Sequence, residues 1–389
     1  MSLILKSVFP ENHIDCIWCV KYHPIKKIFA SSGSDARIII WEYNKEKSDY
    51  KKISTLENIH KSTIRFLDWD NSGNYLSAAS FDNNISIYKM KQENDIYSFS
   101  LIDLLESNDS EIKSVTWSKN GNFISFCSRK GNIYIYEKDV DDFGSEEFSC
   151  KSIYEGHKGD IKMVKFCPND NVLFSCGFDE SFKIWEQDIT KDDFVLINTI
   201  KEHSGTVWCI EFNKKGDMFF TCSDDMNLIM WKIGIANNIN SDENNLNTET
   251  IFDYENIVKL AKIINLHSRP IYSCSLYYNE NYIFSCSNDG NIGIIKIIEN
   301  KDEEGNDKYE LKLINMIKDA HEQFSVNCIC SNKNEIISCG DDCNINPLIS
   351  PGEGVTIFTS PYLSAGAPAL GEAKGLLVHL NLIIYGFSH

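Results

Sequence analysis

Three sets of side chains in this chain carry the groups of acid–base and nucleophilic chemistry. His13, Ser31 and Asp35, then His157, Ser175 and Asp179, then His203, Thr221 and Asp225 each supply an imidazole, a hydroxyl and a carboxylate. Those are the parts of a nucleophile activated by a general base. Their spacing argues for another use. In each set the histidine precedes the aspartate by 22 residues, and a tryptophan (Trp41, Trp185 or Trp231) follows the aspartate by six. A nucleophile site occurs once and needs an oxyanion hole, whereas this pattern recurs with a fixed partner. No G-x-S-x-G, H-E-x-x-H, Walker A or G-x-G-x-x-G pattern accompanies it. The histidines are expected to be structural and the chain non-catalytic.

The same ruler runs through the rest of the chain. Short turns ending in Asp35, Asp82, Asp179, Asp225, Asp289 and Asp342 each precede an alternating apolar run. His60 and His267 lie 22 residues before their aspartates, and His321 lies 21 before Asp342. Counting back 22 from Lys130 reaches Asn108, so one further unit carries the pattern with both signature residues replaced. Seven units result, with 47, 48, 49, 46, 64 and 53 residues between successive turn positions. Within a unit, segments such as 161–166, 172–176 and 181–185 are short, β-branched and aromatic, separated by turn residues such as Pro168-Asn169-Asp170. They read as strands. A fourth before the next histidine makes four per unit.

Gly156-His157 with Ile184-Trp185, His203 with Met230-Trp231 and His13 with Ile40-Trp41 resemble the Gly-His start and Trp-Asp-like end of WD-repeat propeller blades. The expected fold is all-β, a seven-bladed WD-repeat β-propeller over residues 1–346. The resemblance implies that carboxylate, imidazole, hydroxyl and indole hydrogen-bond in series within a blade. A half-buried carboxylate and imidazole are costly unless paired, so such a series would fix blade geometry. It also implies that histidine loops and Asp turns share one rim, with two positions per blade facing a partner. The first, just before each turn position, gives Ser34, Phe81, Arg129, Phe178, Asp224, Asn288 and Asp341. The second, one residue past an inner apolar position, gives Trp18, Arg65, Lys113, Lys162, Trp208, Tyr272 and Asn327. Strand alternation is expected to turn it away from the core.

For a chain of net charge −18, three consecutive ring cations beside Arg129, flanked by aromatics, are informative. Arginine and aromatic residues are the types favoured at interface hot spots. The plainer reading is a wet channel mouth. The preferred one is a site for an acidic, partly aromatic peptide or protein edge, with carboxylates on Arg65, Lys113, Arg129 and Lys162 and an aromatic group near Trp208 or Tyr272.

The rings, together with residues 74–82 (NYLSAASFD), 111–117 (EIKSVTW), 127–129 (CSR), 204–208 (SGTVW), 267–272 (HSRPIY) and 326–328 (VNC), resemble the WD-repeat subunit of the cytosolic iron–sulfur protein assembly (CIA) targeting complex. The likeness is in register from residue 13 to residue 342. It implies a non-catalytic adaptor with no cofactor. It implies four kinds of partner: a small α/β adaptor subunit, a HEAT-repeat scaffold, an iron-only-hydrogenase-like carrier, and apo iron–sulfur client proteins, some recognised through acidic, aromatic C-termini. The family's exposed third-blade arginine maps to Arg129. Lys130 stands where the family usually has Asp, and Asn108 where it has His. The third blade is therefore expected to be less stable locally, with a similar or more basic face. The competing reading is a WD-repeat scaffold or substrate receptor of another complex, such as one for ubiquitin ligation or RNA processing.

Composition agrees with these bounds. A chain of 389 residues with 42% hydrophobic and 12% aromatic content is globular rather than disordered. Its acid excess disfavours nucleic acid and anionic membranes as partners. No apolar stretch reaches the roughly 20 residues of a membrane span, and residues 1–6 lack a secretory pattern. A cytosolic or nuclear protein with its 14 cysteines reduced is expected. Cys16-Ile17-Trp18-Cys19 has metal-like spacing, but residues three apart on a strand face opposite ways. The other cysteines show no cluster spacing, and no metal site is expected. Residues 236–247 form a polar insertion expected to be disordered, and 139–142 and 300–307 read as solvated loops without EF-hand spacing. From Pro347 the composition changes, and proline is disfavoured inside a central strand. Residues 347–389 read as the product of a gene-model or frame error, with an authentic divergent tail as the alternative. Closure of the ring is expected to involve residues 3–8.

Overall fold

The computed structural model describes residues 4–5, 13–47, 49–94, 96–107, 109–141, 144, 146–168, 171–188, 190–235, 252–302, 304–333 and 335–349. Asn108, the insertion 236–247 and the tail from residue 350 lie outside them.

Among the described residues, 28 strands form seven four-stranded antiparallel sheets, the blades of a propeller. In blades one to six, four consecutive strands pair in chain order. The inner strands, residues 17–22, 64–69, 112–117, 161–166, 207–212, 271–276 and 326–331, pack each against the next around the axis, the seventh against the first. The second strand of each blade lies between two strands of its own sheet and between neighbouring blades. Accordingly Ile28–Gly33, Tyr75–Ser80, Phe123–Ser128, Val172–Gly177 and Glu335–Gly340 are buried at every residue. Small side chains such as Ser31, Ala78, Cys127 and Cys176 alternate there with Phe29, Phe126 and Phe174, the near-continuous burial expected of strands covered on both faces. Outer strands such as Ile96–Glu106 face solvent, here with Ile96, Leu101 and Leu104 exposed.

The seventh blade is made from both ends of the described chain. Residues 335–340 pair with Ile345–Ile349, which pairs in turn with Ile4 and Leu5. Pro347 sits inside that strand opposite Ile337, so the strand runs three residues past 346. A proline is accommodated in a strand only where its missing N–H is not required by the ladder.

Candidate protein-interaction site

The three four-residue sets assemble in blades one, four and five. His13 Nδ1 lies 3.0 Å from Asp35, its Nε2 lies 2.9 Å from Ser31 Oγ, and Trp41 Nε1 donates to that oxygen at 2.9 Å. The matching distances are 2.8, 2.8 and 3.0 Å for Asp179, Ser175 and Trp185 around His157. They are 2.9, 2.8 and 2.9 Å for Asp225, Thr221 and Trp231 around His203. A carboxylate only accepts, so Nδ1 carries the imidazole proton; an indole only donates, so the hydroxyl proton goes to Nε2. Each hydroxyl is thus committed on both sides, and Ser31, Ser175 and Thr221 are fully buried. No substrate can reach them, which removes the nucleophile reading for these groups.

Further blades keep parts of the series. His267 joins Asp289 (3.1 Å) to Ser285 (2.8 Å), and His321 joins Asp342 (2.8 Å) to Ser338 (2.9 Å), with Ile295 and Leu348 where the indole would stand. In blade two the hydroxyl comes from the opposite side of the turn. Ser86, four residues after Asp82, reaches His60 Nε2 at 2.7 Å, because Ala78 occupies the usual hydroxyl position. Burial works to raise these carboxyls, but the histidine and backbone N–H bonds outweigh it. Asp82 is brought down to about 2, and Asp179, Asp225 and Asp289 are held well below the usual carboxylate range.

Blade three is wired with reversed polarity. Asp109, in the loop, accepts from Ser128 Oγ (2.7 Å), Asn132 Nδ2 (2.8 Å) and Tyr134 OH (3.1 Å), and meets Lys130 Nζ at 3.2 Å. The loop supplies the acid and the turn the base, where the sister blades do the opposite. Burial works to raise Asp109, and these donors outweigh it, lowering it below the usual range. The turn is held without a tetrad, by a carboxylate that the spacing did not single out.

Strand alternation does not explain the second ring. In all seven inner strands the register slips by one residue, leaving Trp18, Arg65, Lys113, Lys162, Trp208, Tyr272 and Asn327 each at a β-bulge. A bulge leaves one residue outside the ladder and re-aims its side chain. The first-ring residue of the same blade is often its partner: Trp18 donates to Ser34 at 2.8 Å, Asn288 to Tyr272 at 2.7 Å, Asn327 to Asp341 at 2.7 Å, and Trp208 to Asp224. Other contacts cross between blades. Arg65 lies 4.9 Å over Trp18, Lys113 4.0 Å over Phe81, Lys162 4.4 Å over Trp208, and Trp208 meets Tyr272 edge-on at 4.7 Å. Asn327 is buried rather than presented, and also donates to Ile17 O. Arg129 and Phe178 are more than half exposed, at 63% (side chain) and 62%.

The rim is less basic than its cations alone imply. Lys113 (2.6 Å) and Arg129 (3.0 Å) share Glu111, and Lys162 pairs with Asp160 at 2.5 Å. Hydrogen bonding to Lys113 is the largest influence holding Glu111 below its usual range. These acids were legible: in both blades with a ring lysine, a carboxylate stands two residues upstream, where Arg65 has Thr63. Arg65 has no carboxylate within ion-pair distance among the described residues, which makes it the least compensated cation of the ring. The depression between Trp18, Arg65, Lys162, Trp208, Tyr272 and Asn327 has a core of about 20 Å³, room for one water and too little for a small-molecule ligand. One layer deeper, Lys165 pairs with Glu211. Cys16 lies just outside the strand that buries Cys19, and the two thiols point to different neighbours, Cys16 to Asp341 O and Cys19 to Leu67 O.

The WD domain, G-beta repeat family matches residues 5–42, 50–89, 99–137, 148–186, 194–232 and 258–295, more than half of the chain. The three strands of the seventh blade between Val326 and Ile349 fall outside these stretches. The chain is 26% identical over 186 residues (45% of this chain, 38% of the relative) to the probable cytosolic iron-sulfur protein assembly protein 1 of Cryptococcus neoformans. It is 28% identical over 201 residues (48% and 45%) to the protein of the same description from Debaryomyces hansenii. It is 24% identical over 191 residues (47% and 13%) to Protein HIRA of Dictyostelium discoideum. The matched stretches span less than half the length of each of these relatives. With six matched repeats and seven observed blades, the chain belongs to the WD-repeat (G-beta repeat) family.

Proposed function

We propose that this protein is a non-catalytic adaptor of the cytosolic iron–sulfur protein assembly machinery, helping to bring clusters to apoproteins in the cytosol and nucleus. The observation that carries the reading is the bulge-presented rim. Cations and aromatics from adjacent blades stack on one another beside a depression whose core is only about 20 Å³. Such a surface suits a protein edge or peptide carrying carboxylates and an aromatic group. The names of the fungal relatives support the iron–sulfur setting. In this reading Arg65 and Arg129 take the carboxylates, Arg129 releasing Glu111 to do so. An exposed pair of that kind is worth at most about 1 kcal/mol, so the exchange is cheap. Trp18, Trp208, Tyr272, Phe81 and Phe178 provide the aromatic floor, with Lys113 and Lys162 as its cationic edges.

The partners would be the small α/β adaptor, the HEAT-repeat scaffold, the hydrogenase-like carrier and apo clients. Affinity purification of the intact protein tests this directly. The carrier and the small adaptor are expected among the captured proteins, and Arg129→Glu is expected to weaken at least one capture by about tenfold or more without lowering the melting temperature. Intact wild-type protein that captures neither subunit would sink the iron–sulfur assignment. It would favour the second reading, a scaffold in another complex, which the similarity to Protein HIRA keeps in view.

A further inference from the structure

The fold gathers three thiols that their sequence positions keep apart. Cys209 stands on the inner strand of blade five, Cys222 directly opposite it on the second strand, and Cys274 on the inner strand of blade six. Their sulfurs all lie within 4.8 Å of one another, those of Cys209 and Cys274 at 4.0 Å, and all three are buried and unoxidised. Among the described residues no other group of three or more Cys, His, Asp or Glu ligand atoms meets that span. Metal–thiolate bonds of about 2.3 Å place the sulfurs of a trigonal site about 4.0 Å apart, and those of a tetrahedral site about 3.8 Å. The cluster is already near coordination spacing.

The donor set selects the ion. Sulfur ligands favour soft ions over oxygen-seeking ones, and a structural zinc site needs a fourth ligand that this group does not contain. Met163, whose Sδ accepts the Ile210 amide at 3.2 Å beside Cys209, adds at most a thioether. Cys209 and Met163 line the floor of the rim depression, which gives a small ion a way in from the partner-facing side. We propose that Cys209, Cys222 and Cys274 form a trigonal site for one soft monovalent d10 ion, Cu(I). Each thiolate formed releases its proton to solvent, and no electron is transferred.

A second trio provides an internal control. Cys328 and Cys339 face each other in blade seven, with Cys19 on the adjoining inner strand of blade one, but their sulfurs do not meet the same span. The full-length chain, reduced and anaerobic, is titrated with Cu(I) held by a chromogenic bidentate chelator. One equivalent is expected to transfer to the protein. Its affinity is expected to fall at least about 100-fold in Cys209→Ser and Cys274→Ser and to hold in Cys328→Ser. X-ray absorption on the wild-type complex needs no variant to fold, and is expected to show three sulfurs at about 2.3 Å. No stoichiometric uptake by wild type, uptake that survives both substitutions, or a four-coordinate zinc site in the purified protein overturns the proposal. Capture through Arg129 depends on other residues, so this site and the adaptor reading can fail separately.

Discussion

Blades three and four build the same turn with opposite charges. In blade four, a neutral His157 in the loop bonds Asp179 in the turn and passes the chain inward through Ser175 to Trp185. In blade three, Asp109 in the loop faces Lys130 in the turn and gathers Ser128, Asn132 and Tyr134. Phe126 fills the hydroxyl position and stacks on Tyr134 with ring centroids 4.8 Å apart. The backbone differs as well. The residue after the turn position has positive φ in both, but blade three has Gly131 there (φ 93°) and blade four has Glu180 (φ 66°). What is retained is a satisfied buried polar group joining loop to turn; which side carries the charge is free to change. The expectation of a weaker third blade rests on the lost tetrad, in whose place Asp109 gathers Ser128, Asn132 and Tyr134.

The comparison can be broken most severely at Asp109. Removing its carboxylate strands the buried Ser128 hydroxyl and the Asn132 amide and leaves Tyr134 OH only its 3.4 Å bond to Ser107 O, so Asp109→Ala is expected to cost about 3 kcal/mol, at least as much as Asp179→Ala in blade four. Urea unfolding with an unchanged slope checks this; a cost below about 1 kcal/mol would mean the reversed network does not hold the turn.

Gly131 comes next. A Cβ there would lie 2.4 Å from the His157 carbonyl oxygen in a backbone conformation L-residues disfavour, so Gly131→Ala is expected to cost about 2 kcal/mol. The reciprocal change Glu180→Gly is expected to stabilise by up to about 1 kcal/mol. Opposite signs in thermal unfolding sharpen the contrast, and equal signs remove it.

A third difference appears with pH. Burial lowers His157 below the usual histidine value despite the Asp179 bond, so protonation opposes folding. That contribution is complete above about pH 6.5 and declines as pH falls below it. Asp109 is likewise lowered, but its contribution persists down to about pH 4 and is lost only below that. Between pH 7.5 and 5, amide protection factors are expected to fall in residues 172–177 and 182–188 and to hold in residues 123–128 and 132–140. Parallel behaviour of the two blades would show that the imidazole does not control local opening.

The smallest effect separates two neighbours. Lys130 is 66% exposed, so Lys130→Ala is expected to cost no more than about 1 kcal/mol, read by calorimetry, and to leave partner capture intact. A capture defect as large as that of Arg129→Glu would mean that Lys130 is itself a contact.

Much of this architecture was legible because it depends on local spacing. A histidine 22 residues before an aspartate spans one loop, two strands and their turn, so the repeat, the blade count and three complete tetrads follow from counting. The departures were harder. Ser86 replaces a hydroxyl from the other side of its turn, and Asp109 adjoins the replaced histidine position rather than occupying it. Both satisfy a geometric need from a nearby point in space, which a fixed ruler misses.

The sequence by itself determined which positions recur in each blade and that each blade would repeat one plan. Only the tertiary structure decided how those residues face. Seven bulges, rather than simple alternation, lift the ring from the ladder, and neighbouring blades place Lys113 over Phe81 and Lys162 over Trp208. It also decided that Cys274 of blade six meets Cys209 and Cys222 of blade five at one blade boundary. The contacts between blades share one physical reason. Contacts within a blade are set by chain separation, while contacts between blades are set by the packing angle of whole sheets, which no single repeat encodes.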